Sequence, residues 1–228
     1  MELCTPLHVK HDQKSILVRG QTAKMAAITT KEEVREGILD ATERLLARFS
    51  YRKMTVEDIA REVGVGKGTI YLHFISKEEI VLSHVDRIVE RVKERLWEIA
   101  RTEDTAATRI QLMLLARVLI RFDSIQLYTQ SLDDLLAALR PGLLARRAVY
   151  FDEEAQIFAQ VLNEGRTQRE LQFDDALTAA YAMLHATNSL LPYSLSTTEL
   201  GEREEVKERT TAIAKLLLQG LLARSPNS

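Results

Sequence analysis

The sequence predicts an all-α fold, and three observations carry that expectation. Its 228 residues hold only nine Gly and four Pro. Leu, Ala, Glu and Arg abound, which is the composition of helical domains. From residue 30 onward, apolar residues recur at steps of three and four, the period of a helix rather than a strand. Hydrophobic residues make up 46% of the chain, enough for a packed core, and the length suits a small domain joined to a larger one. The expected organisation is a flexible arm over 1–29, a three-helix unit with a helix-turn-helix over 30–78, and a C-terminal helical bundle over 79–224.

Residues 1–29 are polar and aperiodic, with scattered Lys10, Lys14, Arg19 and Lys24. They read as a loose arm. A basic arm can reach a DNA minor groove. A tail without a role, or a start placed too far upstream of Met25, accounts for the same residues. A first helix is expected over 30–49. Thr30 and Glu33 form a capping-box pattern, and Val34, Ile38, Ala41, Leu45 and Phe49 form one apolar stripe. Tyr51, Arg52 and Lys53 connect it to the next helix, which Thr55 can cap with Asp58 three residues on. Val56, Ile59, Ala60 and Val63 share one face, and Gly64 follows where a helix end favours a left-handed residue. A second short helix begins near Val65 or Gly66. Ile70 and Phe74 turn inward, leaving Lys67, Thr69, Tyr71 and His73 outward. Ser76 with Glu79 opens a third helix.

The remaining spans are longer. Residues 77–100 carry a stripe at Ile80, His84, Ile88, Val92 and Leu96, and the domain boundary falls near residue 80, inside this helix. Residues 106–122 are apolar nearly all round, as suits the centre of a bundle. A helix over about 125–139 is expected to stop at Pro141-Gly142, and another to run from about 142 to 167, with Gly165 marking its end. Residues 174–191 are again apolar on most faces. Residues 192–201 read as a loop, and a last helix over 202–223 has its stripe at Val206, Thr210, Ile213, Leu217 and Leu221. The last two helices suit an isologous homodimer through residues 174–191 and 202–223, the reading favoured over one in which they simply finish a monomer core.

The chemistry of 55–77 suits double-stranded DNA. A helix of about two turns fits the major groove and offers its N-terminal residues to base edges. Gly66 and Gly68 remove bulk where backbone approaches phosphate. Lys67 and Lys77 can neutralise phosphates, Tyr71 and His73 can donate to them, and Thr69 can meet a base edge or a thymine methyl. The net charge is −2, so any nucleic-acid binding must come from this local patch.

The string VGVGKGTIYLHFISKEEI resembles the signature of the TetR family of transcriptional regulators. The likeness lies in Gly-Lys-Gly-Thr at 66–69, Tyr71, the His73-Phe74 pair and Lys77-Glu78-Glu79, and it covers roughly residues 30–80. Gly66 stands where many relatives have Ser, and Leu72 where many have an aromatic residue, so the operator sequence does not carry over. The resemblance implies DNA contacts at Lys67, Thr69, Tyr71, His73 and Lys77, with Thr55 at the start of the first reading helix; Gly68 joins the DNA-binding set for its lack of bulk. It also implies dimerisation through the two C-terminal helices, and a long helix that passes ligand-driven movement to the DNA-binding head.

No cofactor or metal site is expected, because the five histidines lack metal-ligand spacing. GVGKGT lacks the strand and spacing of a phosphate loop, and no nucleophile motif occurs, so an enzyme is not expected. Cys4 is alone, which is compatible with a reducing cytoplasm. No apolar run approaches the ~18 residues of a membrane span. A pocket for a small organic ligand is plausible inside the bundle, with Met113, Arg117, Phe122, Tyr128, Phe158, Tyr181, His185 and Asn188 as candidate linings. The function expected is a sequence-specific DNA-binding regulator, a repressor released from its operator by such a ligand. The alternative is a DNA-binding architectural or partner-binding protein with the same fold and no inducer.

Overall fold

A computed structural model describes residues 30–126, 132–191 and 201–222. The expected arm, the 192–200 part of the expected loop and Tyr128 lie outside them. The chain divides into two compact units, Met1–Glu36 and Gly37–Ser228. In the first, Thr30 Oγ1 accepts from Glu33 N at 3.1 Å and Glu33 Oε2 accepts from Thr30 N at 2.6 Å, the expected reciprocal cap.

Eight helices occur among the described residues: α1 Lys31–Arg48, α2 Val56–Val63, α3 Lys67–His73, α4 Lys77–Ala100, α5 Ala106–Ile125, α6 Leu132–Thr167, α7 Ala176–Asn188 and α8 Arg203–Leu221. Several of the starts have a local cause. Thr55 caps α2 in a full capping box with Asp58, Ser76 accepts from Glu79 N, Thr105 from Thr108 N and Asp175 from Thr178 N. Gly64 ends α2 at φ +82°, a conformation that costs little without a Cβ.

Apolar stripes decide the packing. Ile38, Leu45, Ile59, Ile70, Phe74 and Ile80 are all buried in the small N-terminal core. Phe49, expected to complete the stripe of α1, is exposed, because α1 ends at Arg48 and the helical register stops one residue short. In the bundle, α5 is central as its all-round apolarity suggests. Ile110, Met113 and Leu114 meet Leu96 of α4, Phe158 and Leu162 of α6, Met183 and Leu184 of α7 and Leu218 of α8 in one cluster.

One expectation about α6 needs correction. Residues 132–167 form one helix with Pro141 inside it, not two helices broken at Pro141-Gly142. Proline removes a helical N–H and crowds the preceding turn, but anchors on both sides keep this axis intact. Leu135 and Leu139 are buried before it, and Arg146 beyond it grips Glu79 and Asp86 of α4. Gly142 packs so close to Leu82 that an added Cβ would lie 2.5 Å from its Cδ1. The helix ends at Thr167, as expected, and Gly165 lies in its last turn. It sits buried within α6, where a Cβ would lie 2.6 Å from Ala106 Cβ, and its carbonyl accepts from Glu170 N at 2.9 Å and Leu171 N at 3.2 Å.

Candidate nucleic-acid interface and interior cavity

The helix-turn-helix places Lys67, Gly68, Thr69, Tyr71 and His73 together on α3. Ile70 and Phe74, four apart, are buried and fix which face of α3 turns out. Lys67 is exposed and donates to the Glu57 carboxylate, which raises the lysine's pKa. Its Nζ also lies 5.9 Å from the Tyr71 ring centre. Thr69 is half-buried, and nothing lies within 4 Å of a Cβ placed on Gly68. His73 is half-buried, and its Nδ1 has no hydrogen-bond partner.

Thr55 and Lys77 have other present roles. Thr55 Oγ1 accepts from Asp58 N at 3.2 Å and donates to Asp58 Oδ2 at 2.7 Å. Lys77 Nζ donates to the carbonyls of Tyr51 at 2.9 Å and Met54 at 3.0 Å, 4.2 Å from the Tyr51 ring centre. Burial lowers its pKa. Lys77 thus ties the 51–54 connection to the start of α4. Sequence reasoning missed Ile75, which is 85% exposed beside Leu72 at 77%. The signal for their exposure was available: both fall off the inward 70/74 face.

The body holds a second candidate site. A cavity of about 190 Å³ lies between α4, α5 and α6. Val81, His84, Val85, Ile88 and Val89 of α4 form one wall, and Leu135, Leu136, Leu139 and Leu143 of α6 another. Arg117, Arg121 and Glu154 supply its buried polar groups. Arg117 Nε donates to Glu154 Oε2 at 2.6 Å, Arg117 Nη1 to Thr187 Oγ1 at 3.3 Å, and Arg121 to Glu154 Oε1 and to the Arg117 carbonyl. Burial opposes ionisation of Glu154, but the attraction of Arg121 and Arg117 outweighs it and holds the carboxyl below the usual range. Burial, with the positive charges of Arg87 and Arg91, pushes His84 down to about 3.

Of the described residues singled out as linings, Arg117 borders this cavity. Met113, Phe122 and Phe158 are packed in the core. Tyr181 donates to Asp152 and stacks on Phe151 at 6.1 Å between ring centres, and His185 lies 4.7 Å from the same ring. The structure therefore gathers Tyr181 and His185 around Phe151, which itself borders the cavity. Asn188 also lies on α7 and is half-buried. Arg121 and Glu154 were missed. Arg117 and Arg121 are four apart on a helix that is apolar on most faces, so they share a face that water cannot easily reach. That pattern demands a buried acid.

Residues 38–83 match the family model described as "Bacterial regulatory proteins, tetR family". The chain is 34% identical over 77 residues to the fatty acid metabolism regulator protein of Bacillus subtilis, spanning 34% of this chain and 40% of that one. It spans less than half the length of the first curated relatives it matches. It is 26% identical over 197 residues to the nucleoid occlusion factor SlmA of Shewanella amazonensis, spanning 84% of this chain and 100% of that one. In fold, it is similar to a transcriptional regulator from Cytophaga hutchinsonii, with TM-score 0.70 at 20% identity over 82% of this chain and 97% of that one. A TetR-family regulator from Mesorhizobium loti gives 0.66 at 15% identity over 85% and 99%. Residues 38–83 thus match the TetR-family DNA-binding head, and the chain as a whole shares its helical fold with solved transcriptional regulators.

Proposed function

We propose that the chain is a homodimeric, sequence-specific repressor that leaves its operator when a small organic molecule occupies the body cavity. Residues 30–78 act as the DNA-binding head and 79–224 as the ligand-binding and dimerisation body. The observation that carries this reading is the continuity of α4. The helix starts at Lys77, directly after the recognition helix, and the same helix walls the cavity from Val81 to Val89. A ligand that fits better with α4 displaced weakens DNA binding by that difference in affinity. Lys67, Thr69, Tyr71 and His73 meet the operator, Lys67 exchanging Glu57 for a phosphate, while Thr55 and Lys77 hold the reading helices at their ends. Residues 174–191 and 202–223 pair two chains. Leu177 and Leu216 are 38% and 70% exposed there, and a Cβ on Gly220 would meet nothing within 4 Å, which leaves room for close helix approach.

Repeated selection of duplexes from a random library tests the DNA-reading part. The expected product is a two-fold symmetric sequence whose half-sites lie about 34–36 Å apart. A library that stays random after selection would overturn it. A second reading draws support from the match to the nucleoid occlusion factor, which extends over most of both chains. In it, the same head marks DNA for a protein partner and the cavity has no inducer. Filling the cavity with Val85→Phe separates the two: loss of ligand response supports the first, and an unaltered regulator with no ligand response in either form supports the second.

A further inference from the structure

We infer that Leu72 reads the 5-methyl group of a thymine, so that each operator half-site carries a T·A pair selected by apolar contact. The inference rests on the proposed DNA-reading role of α3, and it names the residue that sets part of the sequence preference.

Position around α3 sorts its side chains. A helix turns about 100° per residue. Ile70 and Phe74 are 0% and 3% exposed and anchor α3 in the head's core. Leu72 lies two residues from each, about 160° around the axis from both. It therefore stands on the line of α3 farthest from that core. Gly68, one turn earlier, shares the line, and a Cβ placed there would meet nothing within 4 Å. Tyr71 and His73 lie to either side of Leu72, and His73 is half-buried. Lys67 stands on the Tyr71 side, its Nζ 5.9 Å from the ring centre. The polar groups thus flank α3, and its outermost line holds a glycine and a leucine.

A helix in the major groove turns its outermost line to the base edges, while flanking side chains reach the phosphates. The Leu72 side chain has no hydrogen-bonding atom, so it cannot match the donors and acceptors of an edge. The thymine methyl is the one apolar group that a base pair shows in that groove. Leu72 is 77% exposed, second to Ile75 among the described large hydrophobics. Contact with a methyl takes that surface out of water. DNA is the occupant that the surroundings favour, because Lys67, Thr69 and Tyr71 present a cation, a hydroxyl and a phenol on the same short helix. Ile75 follows the extended Phe74 at the end of α3, outside the helical line, and serves as the control.

Fluorescence anisotropy of the full chain on the duplex selected from the random library tests this. Each thymine of one half-site is replaced in turn by deoxyuridine, which lacks only the methyl group. The wild-type chain is expected to bind about fourfold more weakly at one such position, the worth of one buried methyl group. Leu72→Ala is expected to bind both duplexes equally at that position, with an unchanged melting temperature. Ile75→Ala is expected to keep the fourfold difference. Selection repeated with Leu72→Gln is expected to exchange that T for A, whose edge Gln can pair. A selected half-site without thymine, indifference to deoxyuridine at every thymine, or a difference that survives Leu72→Ala would overturn the inference and leave the DNA-reading head standing. Loss of the difference in Ile75→Ala as well would overturn the assignment to Leu72. Indifference to deoxyuridine, with dimers that dissociate in Leu72→Ala, would give this surface to a second copy instead. A library that stays random removes the reading itself, and the inference with it.

Discussion

The head and the body each hold ion pairs, and the two sets behave differently. In the head, Lys67 meets Glu57 at the surface. Water screens such a pair, so it contributes little to folding and exchanges readily for a phosphate. In the body, Arg117 and Arg121 meet Glu154 with nearly no exposure. Their solvation is gone, so removal of one partner strands the others. The difference teaches where change is tolerated. The proposed DNA face is built of replaceable surface groups, and the cavity of groups that the fold itself depends on.

That contrast gives a ranked set of tests. Glu154→Leu leaves two buried guanidiniums without their acid and is expected to cost about 3–5 kcal/mol in urea unfolding; a change within ~0.5 kcal/mol would show that the trio is not strongly coupled to folding. Acidification comes next. The unfolded chain takes up a proton at His84 near pH 6.5, whereas the folded chain refuses it until about pH 3. Stability is thus full above pH 6.5 and falls as pH drops through that window, by at most ~1.4 kcal/mol per pH unit. His84→Gln should flatten that slope, and an equal slope in both proteins would count against His84 as the group responsible. Thr55→Ala removes a helix cap and should cost ~1 kcal/mol, seen as an earlier thermal transition. Lys67→Ala should leave thermal unfolding where it is, while reducing the salt dependence of DNA binding by about one phosphate contact. An unchanged salt slope would remove Lys67 from the phosphate contacts.

The same contrast explains what the sequence disclosed. The cap at Thr55, the left-handed Gly64 and the inward pair Ile70 and Phe74 are set by residues within a few positions of one another, so spacing alone reveals them. The trio in the body joins Glu154 to arginines 37 and 33 positions away, and no local pattern ties Glu154 to Arg117. Pro141 misled for a related reason. Its local effect is to stop a helix, but the grip of Arg146 on α4 is tertiary and prevails. Tyr181 and His185 do share a face, as their spacing implies, yet that face packs on Phe151 rather than bordering the cavity directly.

The most direct test of the account is fluorescence anisotropy of the purified chain on labelled DNA from just upstream of its own coding region, against random DNA, titrated with salt. The account predicts tighter binding to the upstream DNA, a two-fold footprint and an affinity that falls steadily with salt. Equally weak binding to both DNAs, with no dependence on salt, would contradict a DNA-reading head at residues 55–77.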